Sequence, residues 1–254
     1  MAMKVLQQET EWNAGYFDCV GFMEAALSDS RALATVFDHT LTEPGATSEQ
    51  VIKLCEEAVE FHFACIVVNP CWVSLAHSVL AGAGVALGTK VGSSLGAALS
   101  SSKRDETARV IRLGAREIEM VLNVGWLRSG MNGHAERDLR GVTQIAHGAG
   151  ALAKVVLETN ILSVEEKLRA AELAISAGAD FLRTRSGLSP AKETAAEVAL
   201  LRGIAGARCG VKASGEIRTL ADARAMLEAG ANRLGARESV AIVRELRELQ
   251  ESDH

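Results

Sequence analysis

Seven charged residues fall where a chain could carry out acid–base, carbonyl or anion chemistry. Asp38, Lys90, Glu119, Lys154, Glu158, Arg183 and Lys212 each lie within or at the end of a short apolar run of strand type. Alternate residues of a strand face opposite sides. Along 85–91, Val85, Leu87, Thr89 and Val91 form one set, while Ala86, Gly88 and Lys90 form the inner one. The same alternation turns all seven charges inward. A lysine amine attacks carbonyl carbon once it is unprotonated. A carboxylate moves protons. An arginine fork grips carboxylates and stays charged. A buried charge costs several kcal/mol unless paired, so a structural ion-pair network is the competing account. Gathering at strand ends favours a catalytic or anion-binding site.

The elements that must position these residues alternate along the chain. Strand candidates are 35–38, 64–68, 85–91, 117–122, 153–158, 180–184, 209–213 and 232–236, with amphipathic stretches such as 48–62 and 163–178 between them. Ser163 followed by Glu166 fits a capping box; Ser48 opens the other stretch without one, having Val51 three residues on. Glycines close the helices in SAGAD and EAGAN. Eight such βα repeats predict an α/β fold, a (β/α)8 TIM barrel over 35–254, with a helical extension over 1–34 covering the barrel's bottom. A doubly wound sheet is the alternative, and no GxGxxG turn supports it. Active sites of such barrels lie at the C-terminal ends of the strands. Three glycine-containing loops, 184–189, 213–219 and 234–239, follow the last three strands there. Their backbone amides and nearby cations nominate Lys90, Arg185, Gly187, Gly215, Arg218, Gly235 and Arg237 as substrate- or anion-binding residues. Ordinary turn chemistry is the bland account of those loops. His39, next to Asp38, is a plausible member of the site, whereas His62, His77, His134 and His147 read as surface or packing residues.

Composition narrows the partners. The 254 residues are 48% hydrophobic but only 4% aromatic, so aliphatic side chains must fill the core. The formal charge of -5 argues against nucleic acid or an anionic membrane as a partner. No apolar run approaches membrane-spanning length, and the first residues lack the apolar stretch of a secretory signal. Five cysteines, an odd number without a CxxC pair, read as reduced thiols in a cytoplasmic protein. No histidine cluster suggests a metal, and no cofactor is expected. The expected partner is a small anionic substrate, and a homodimer is a possible assembly.

Particular runs sharpen this reading. DHTL (38–41), ACIVVNPCWV (64–73), EIEMVLNVG (117–125), KVVLET (154–159), AGADFLRT (177–184), VKASGEIRT (211–219) and RLGA (233–236) resemble the deoxyribose-phosphate aldolase family, over roughly residues 35–245. The resemblance implies a class I aldolase: a sixth-strand lysine forms an iminium with its substrate, 2-deoxyribose 5-phosphate, and acetaldehyde and glyceraldehyde 3-phosphate result. It further implies a seventh-strand lysine that lowers the pKa of the first, at Lys212. A fourth-strand carboxylate that moves protons through water falls at Glu119, where the family has Asp, and a first-strand Asp at Asp38. The iminium position departs. Where the family reads Phe-(Ile/Val)-Lys-Thr-Ser-Thr-Gly, this chain reads Phe-Leu-Arg-Thr-Arg-Ser-Gly, with Arg183 in the lysine's place. A guanidinium stays protonated and forms no iminium. Gly92-Ser93-Ser94-Leu95-Gly96 replaces Gly-Phe-Pro-Leu-Gly, Lys90 is new, and Arg185, Glu216 and Arg237-Glu238 alter the phosphate loops.

Three readings follow. The first is a divergent lyase acting on a small carbonyl or sugar-phosphate-like substrate, with Lys212 as relocated amine beside Arg183 and with Glu119, Asp38 and Lys154 as the other catalytic candidates. Lys154 and Lys90 are the other possible amines. The second is an enzyme without an iminium, holding a carboxylate through Arg183, Arg185 and Arg237. The third is a catalytically silent homologue with a binding role.

Overall fold

The computed structural model describes residues 17–93, 95–186 and 194–252. Eight parallel strands close into a barrel, each paired with the next and β8 with β1. They are β1 (Phe37–Leu41), β2 (Cys65–Val68), β3 (Ala86–Val91), β4 (Glu117–Val121), β5 (Leu152–Val156), β6 (Phe181–Arg183), β7 (Gly210–Ser214) and β8 (Arg233–Ala236). Around them run α3 (Ser48–Phe61), α4 (Val73–Val79), α5 (Ser100–Arg112), α6 (Val124–Arg128), α7 (Asn132–Gly148), α8 (Val164–Ser176), α9 (Ala195–Ala205), α10 (Leu220–Glu228) and α11 (Ser239–Ser252), preceded by α1 (Cys19–Ala26) and α2 (Ser30–Ala34). The (β/α)8 barrel expected from the alternation of elements is the fold.

Two kinds of strand face build it. Outward residues such as Ile66, Val68, Leu87, Ile118, Met120, Val155, Leu182, Val211 and Leu234 join the buried faces of the helices in one aliphatic core. Each fully buried Leu or Ile there contributes about 1.5–3 kcal/mol. Inward residues carry the charges. Register aligns Lys90 with Glu119 and Glu119 with Lys154 across β3, β4 and β5. Arg183 aligns with Lys212 across β6 and β7.

Three local expectations are corrected, and the extension takes a definite form. The first strand begins at Phe37, because Thr35 caps α2 and its hydroxyl bonds to the Ala32 carbonyl. Asp38 is therefore second in β1 and deep in the barrel. In α3, Thr47 rather than Ser48 is the cap, reciprocating with Gln50; the capping box of Ser163 and Glu166 opens α8 as expected. The extension forms two short helices, α1 packed against α10 and α2 against α11. Its first sixteen residues lie outside the described ones. Finally, β5 ends at Val156, so Glu158 is not an inward strand residue: it adopts a left-handed conformation, and its carboxylate accepts from the Ser186 amide.

Two buried cations brace the outer layer. Lys103 of α5 donates to Asp138 of α7 at 2.6 Å and to the Val121 carbonyl, tying two helices to the end of β4. Its chain lies where a Cβ on Gly92 would stand, and Gly92 also has φ +64°. Arg202 of α9 donates to the carbonyls of Gly206, Cys209 and Gly230, holding the loops at the barrel's bottom, and stacks on Phe17.

Candidate active site

The inward charges form two connected tiers. In the lower tier, Asp38 of β1 and Glu117 of β4 face Lys154 of β5 and Arg233 of β8. Lys154 contacts Asp38 at 2.6 Å and also Glu117; Arg233 reaches Asp38 at 2.8 Å and Glu117 at 3.2 Å. Burial pushes the Asp38 carboxyl up, but Lys154, Lys212 and Arg233 outweigh it and hold it well below the usual carboxylate range. Burial pulls Lys154 down, but Asp38 and Glu117 outweigh it and raise its ammonium above the ordinary lysine value.

Glu119 of β4 centres the upper tier. It pairs with Arg183 of β6 and, at 2.6 Å, with Lys212 of β7. The Arg183 Nε donates to the Ser214 hydroxyl at 3.0 Å. Burial would raise Glu119, yet Arg183, Lys212 and Lys154 bring it down to about 2. Lys212 joins the tiers, because its Nζ also contacts Asp38. The expectation that Lys212 faces chiefly the Arg183 guanidinium is corrected: two carboxylates hold it.

Lys90 of β3 lies at the mouth. Its Nζ donates to the Thr42 hydroxyl, just after β1, and to the Ser186 carbonyl, after β6, both at 2.9 Å. No carboxylate among the described residues lies within ion-pairing distance of it. Burial foremost, then the nearby Arg183, lowers its pKa to about 8.

The family model for DeoC/LacD family aldolases matches residues 32–241. The chain belongs to that family. Among curated relatives of the DeoC/LacD aldolases, the deoxyribose-phosphate aldolase of Halalkalibacterium halodurans is 47% identical over 215 residues, 84% of this chain and 96% of that protein. The deoxyribose-phosphate aldolase of Bacillus mycoides is 48% identical over 211 residues, 83% of this chain and 94% of its own. Among solved structures, the deoxyribose phosphate aldolase of Aeropyrum pernix, described as tetrameric, superposes with a TM-score of 0.83 at 29% identity, covering 91% of this chain and 98% of that one. An aldolase designated QR15 gives 0.82 at 31%, covering 87% and 98%.

Against that family background, the barrel brings Asp38, Glu119, Lys154, Arg183, Lys212 and Lys90 together. Gly235 lies beside them; a Cβ there would stand 2.4 Å from the Ser214 hydroxyl and 2.8 Å from Cε of Lys212. The expected cationic rim does not gather in the same cavity. Arg185 is buried but pairs with Glu197 at the start of α9. Arg218 and Arg237 are exposed and pair with Glu216 and Glu43. Gly215 directly follows β7, and Gly187 lies outside the described residues. His39 is turned the other way, toward the helices: its ring meets Glu57 of α3 at 3.0 Å and packs on Phe63. Asp38, Cys65 and Glu117 come close enough to share a cation among the described residues, but Lys154, Lys212 and Arg233 already occupy both carboxylates.

Sequence reasoning passed over Glu117, Arg233, Ser214 and Thr42. The first three were accessible from the period of two: Glu117 shares a face with Glu119, Arg233 with Gly235, and Ser214 with Lys212. Thr42 carries no such signal, since it stands one residue beyond its strand.

Proposed function

We propose that this aldolase is a lyase that makes or breaks a carbon–carbon bond in a small carbonyl compound through an iminium on a barrel lysine other than the family's sixth-strand one. The observation that carries the reading is the upper tier: a lysine and a carboxylate, Lys212 and Glu119, stand around position 183, whose own side chain is a permanent cation, with Lys90 at the mouth above them. An iminium draws the electrons of the neighbouring carbon–carbon bond. Cleavage releases an aldehyde as a base takes its hydroxyl proton, and the enamine left behind is protonated at carbon and hydrolysed. Arg183 supplies fixed positive charge next to the reacting carbonyl, where developing negative charge on oxygen is stabilised. Glu119 and Asp38 hold the cations in place. Lys154, held below by two carboxylates, keeps a structural part.

The relatives' substrate, 2-deoxyribose 5-phosphate, is the natural first compound to try, but the phosphate loops argue for a different one. Arg218 and Arg237 are taken up by Glu216 and Glu43. A smaller, less highly charged carbonyl compound fits this rim better. The test is borohydride reduction of the purified protein with a panel of small aldehydes, ketones and keto acids, followed by intact-mass analysis. A stable adduct supports the reading. Absence of an adduct across the panel rejects it in favour of non-covalent binding.

A further inference from the structure

Accepting the lyase reading, we propose that Lys90, on the third strand, is the amine that forms the iminium. Three observations support this assignment over Lys212, the sequence's first choice. The first is position. A nitrogen that touches both the segment after β1 and the segment after β6 lies across the mouth, near the barrel axis. Lys90 is itself buried, but it keeps 5% of its surface exposed, so a carbonyl compound entering from the C-terminal face reaches it before the other two lysines. Lys212 and Lys154 are fully buried beneath it. The second is partnership. Lys212 is ion-paired to Asp38 and Glu119, and Lys154 to Asp38 and Glu117. The partners of Lys90 are a hydroxyl and a carbonyl, neutral groups it can leave without stranding a buried charge. The third is the surrounding field. Arg183 on β6 and Lys212 on β7 repel an ammonium at Lys90, while Glu119 on β4 and Glu158 after β5 favour it; burial and repulsion prevail, leaving the pKa near 8. Roughly a tenth of such an amine is free at pH 7, about 300-fold more than for an ordinary lysine. Burial does most of this, and the arginine at the family's lysine position adds a cation that helps activate a displaced amine.

The step balances simply. The Nζ lone pair attacks the carbonyl carbon, and the carbon–oxygen π pair moves to oxygen, which takes a proton. The carbinolamine then loses water as the carbon–nitrogen double bond forms. One amine, one carbonyl and one proton give one iminium and one water. Thr42, hydrogen-bonded to Nζ, is placed to pass the amine's proton to the departing hydroxyl.

Wild-type protein is mixed with limiting acetaldehyde between pH 6 and 9, quenched with borohydride, and mapped by peptide mass spectrometry, with the exposed Lys53 as internal reference. The expected result is ethylation concentrated at Lys90 at least tenfold over Lys53, with a rate that inflects near pH 8. Lys90→Met should abolish the excess. The mapping itself is made on wild-type protein and does not depend on that variant folding. An adduct centred on Lys212 or Lys154 overturns the assignment while leaving the lyase reading intact. No adduct above the level of Lys53, with acetaldehyde or with the wider carbonyl panel, overturns both.

Discussion

Glu119→Gln tests whether charge holds the upper tier together. Glutamine keeps the shape and one acceptor oxygen but removes the charge that Arg183 and Lys212 share. The folded-state value of Glu119 is about 2 against an ordinary 4.5. A carboxyl held lower in the folded than in the unfolded chain stabilises the fold above its unfolded value, and that stabilisation is lost as pH falls through the folded value. The difference corresponds to about 3 kcal/mol at pH 7, falling to about 1 kcal/mol at pH 3. Glutamine has no such titration. The stability gap between wild type and variant should therefore be about 2 kcal/mol wider at pH 7 than at pH 3, and titrating groups that do not interact with Glu119 cancel in that comparison. Urea unfolding of both proteins at the two pH values, followed by circular dichroism, measures it. Equal gaps at both pH values, or a variant as stable as wild type at pH 7, would refute the claim that charge pairing outweighs the burial of Glu119.

Other outcomes follow from the same geometry. Wild-type protein should cleave 2-deoxyribose 5-phosphate far below ordinary enzyme turnover of about 1–10^3 per second; a coupled assay for glyceraldehyde 3-phosphate checks this. Arg183→Lys returns an amine to the family's position, so borohydride trapping with acetaldehyde should then label residue 183, and labelling confined to other lysines would count against the positional correspondence. Asp138→Asn strands the buried Lys103 ammonium and should cost about 3–5 kcal/mol in chemical denaturation; a loss below about 1 kcal/mol would mean that the Val121 carbonyl suffices. Gly235→Ala places a methyl against Ser214 and Lys212; it should lower kcat for whatever carbonyl substrate the panel identifies and cost about 1–3 kcal/mol in chemical denaturation.

The barrel was legible because its signal is repeated: eight apolar runs alternate with amphipathic helices, and a shift in one strand leaves the pattern standing. The shift in β1 escaped because α2 is only five residues long and its start depends on a single Asp29 cap. The inward set was legible from the period of two at Asp38, Lys90, Glu119, Lys154, Arg183 and Lys212, although the same period would also have found Glu117 and Arg233. Partner choice was not legible. Register predicts that Arg183 and Lys212 are neighbours, but only side-chain reach across the barrel shows that Lys212 is taken by Asp38 and Glu119. The same long-range closure leaves Lys90 with neutral partners and sends Arg218 and Arg237 to carboxylates on the rim.

Asp38 serves Lys154, Lys212 and Arg233 together, which makes the barrel interior a single mutational unit. Removing one of the three leaves a shared carboxylate to redistribute between the other two. Substitutions at β5 and β8, strands that do not touch, should show coupling of about 0.5–3 kcal/mol in double-mutant cycles rather than simple addition. Exchange of one charged residue here alters the setting in which every later exchange is selected. Evolution at this centre is epistatic: the order in which substitutions arise decides which are tolerated, and the helices outside can drift independently of it.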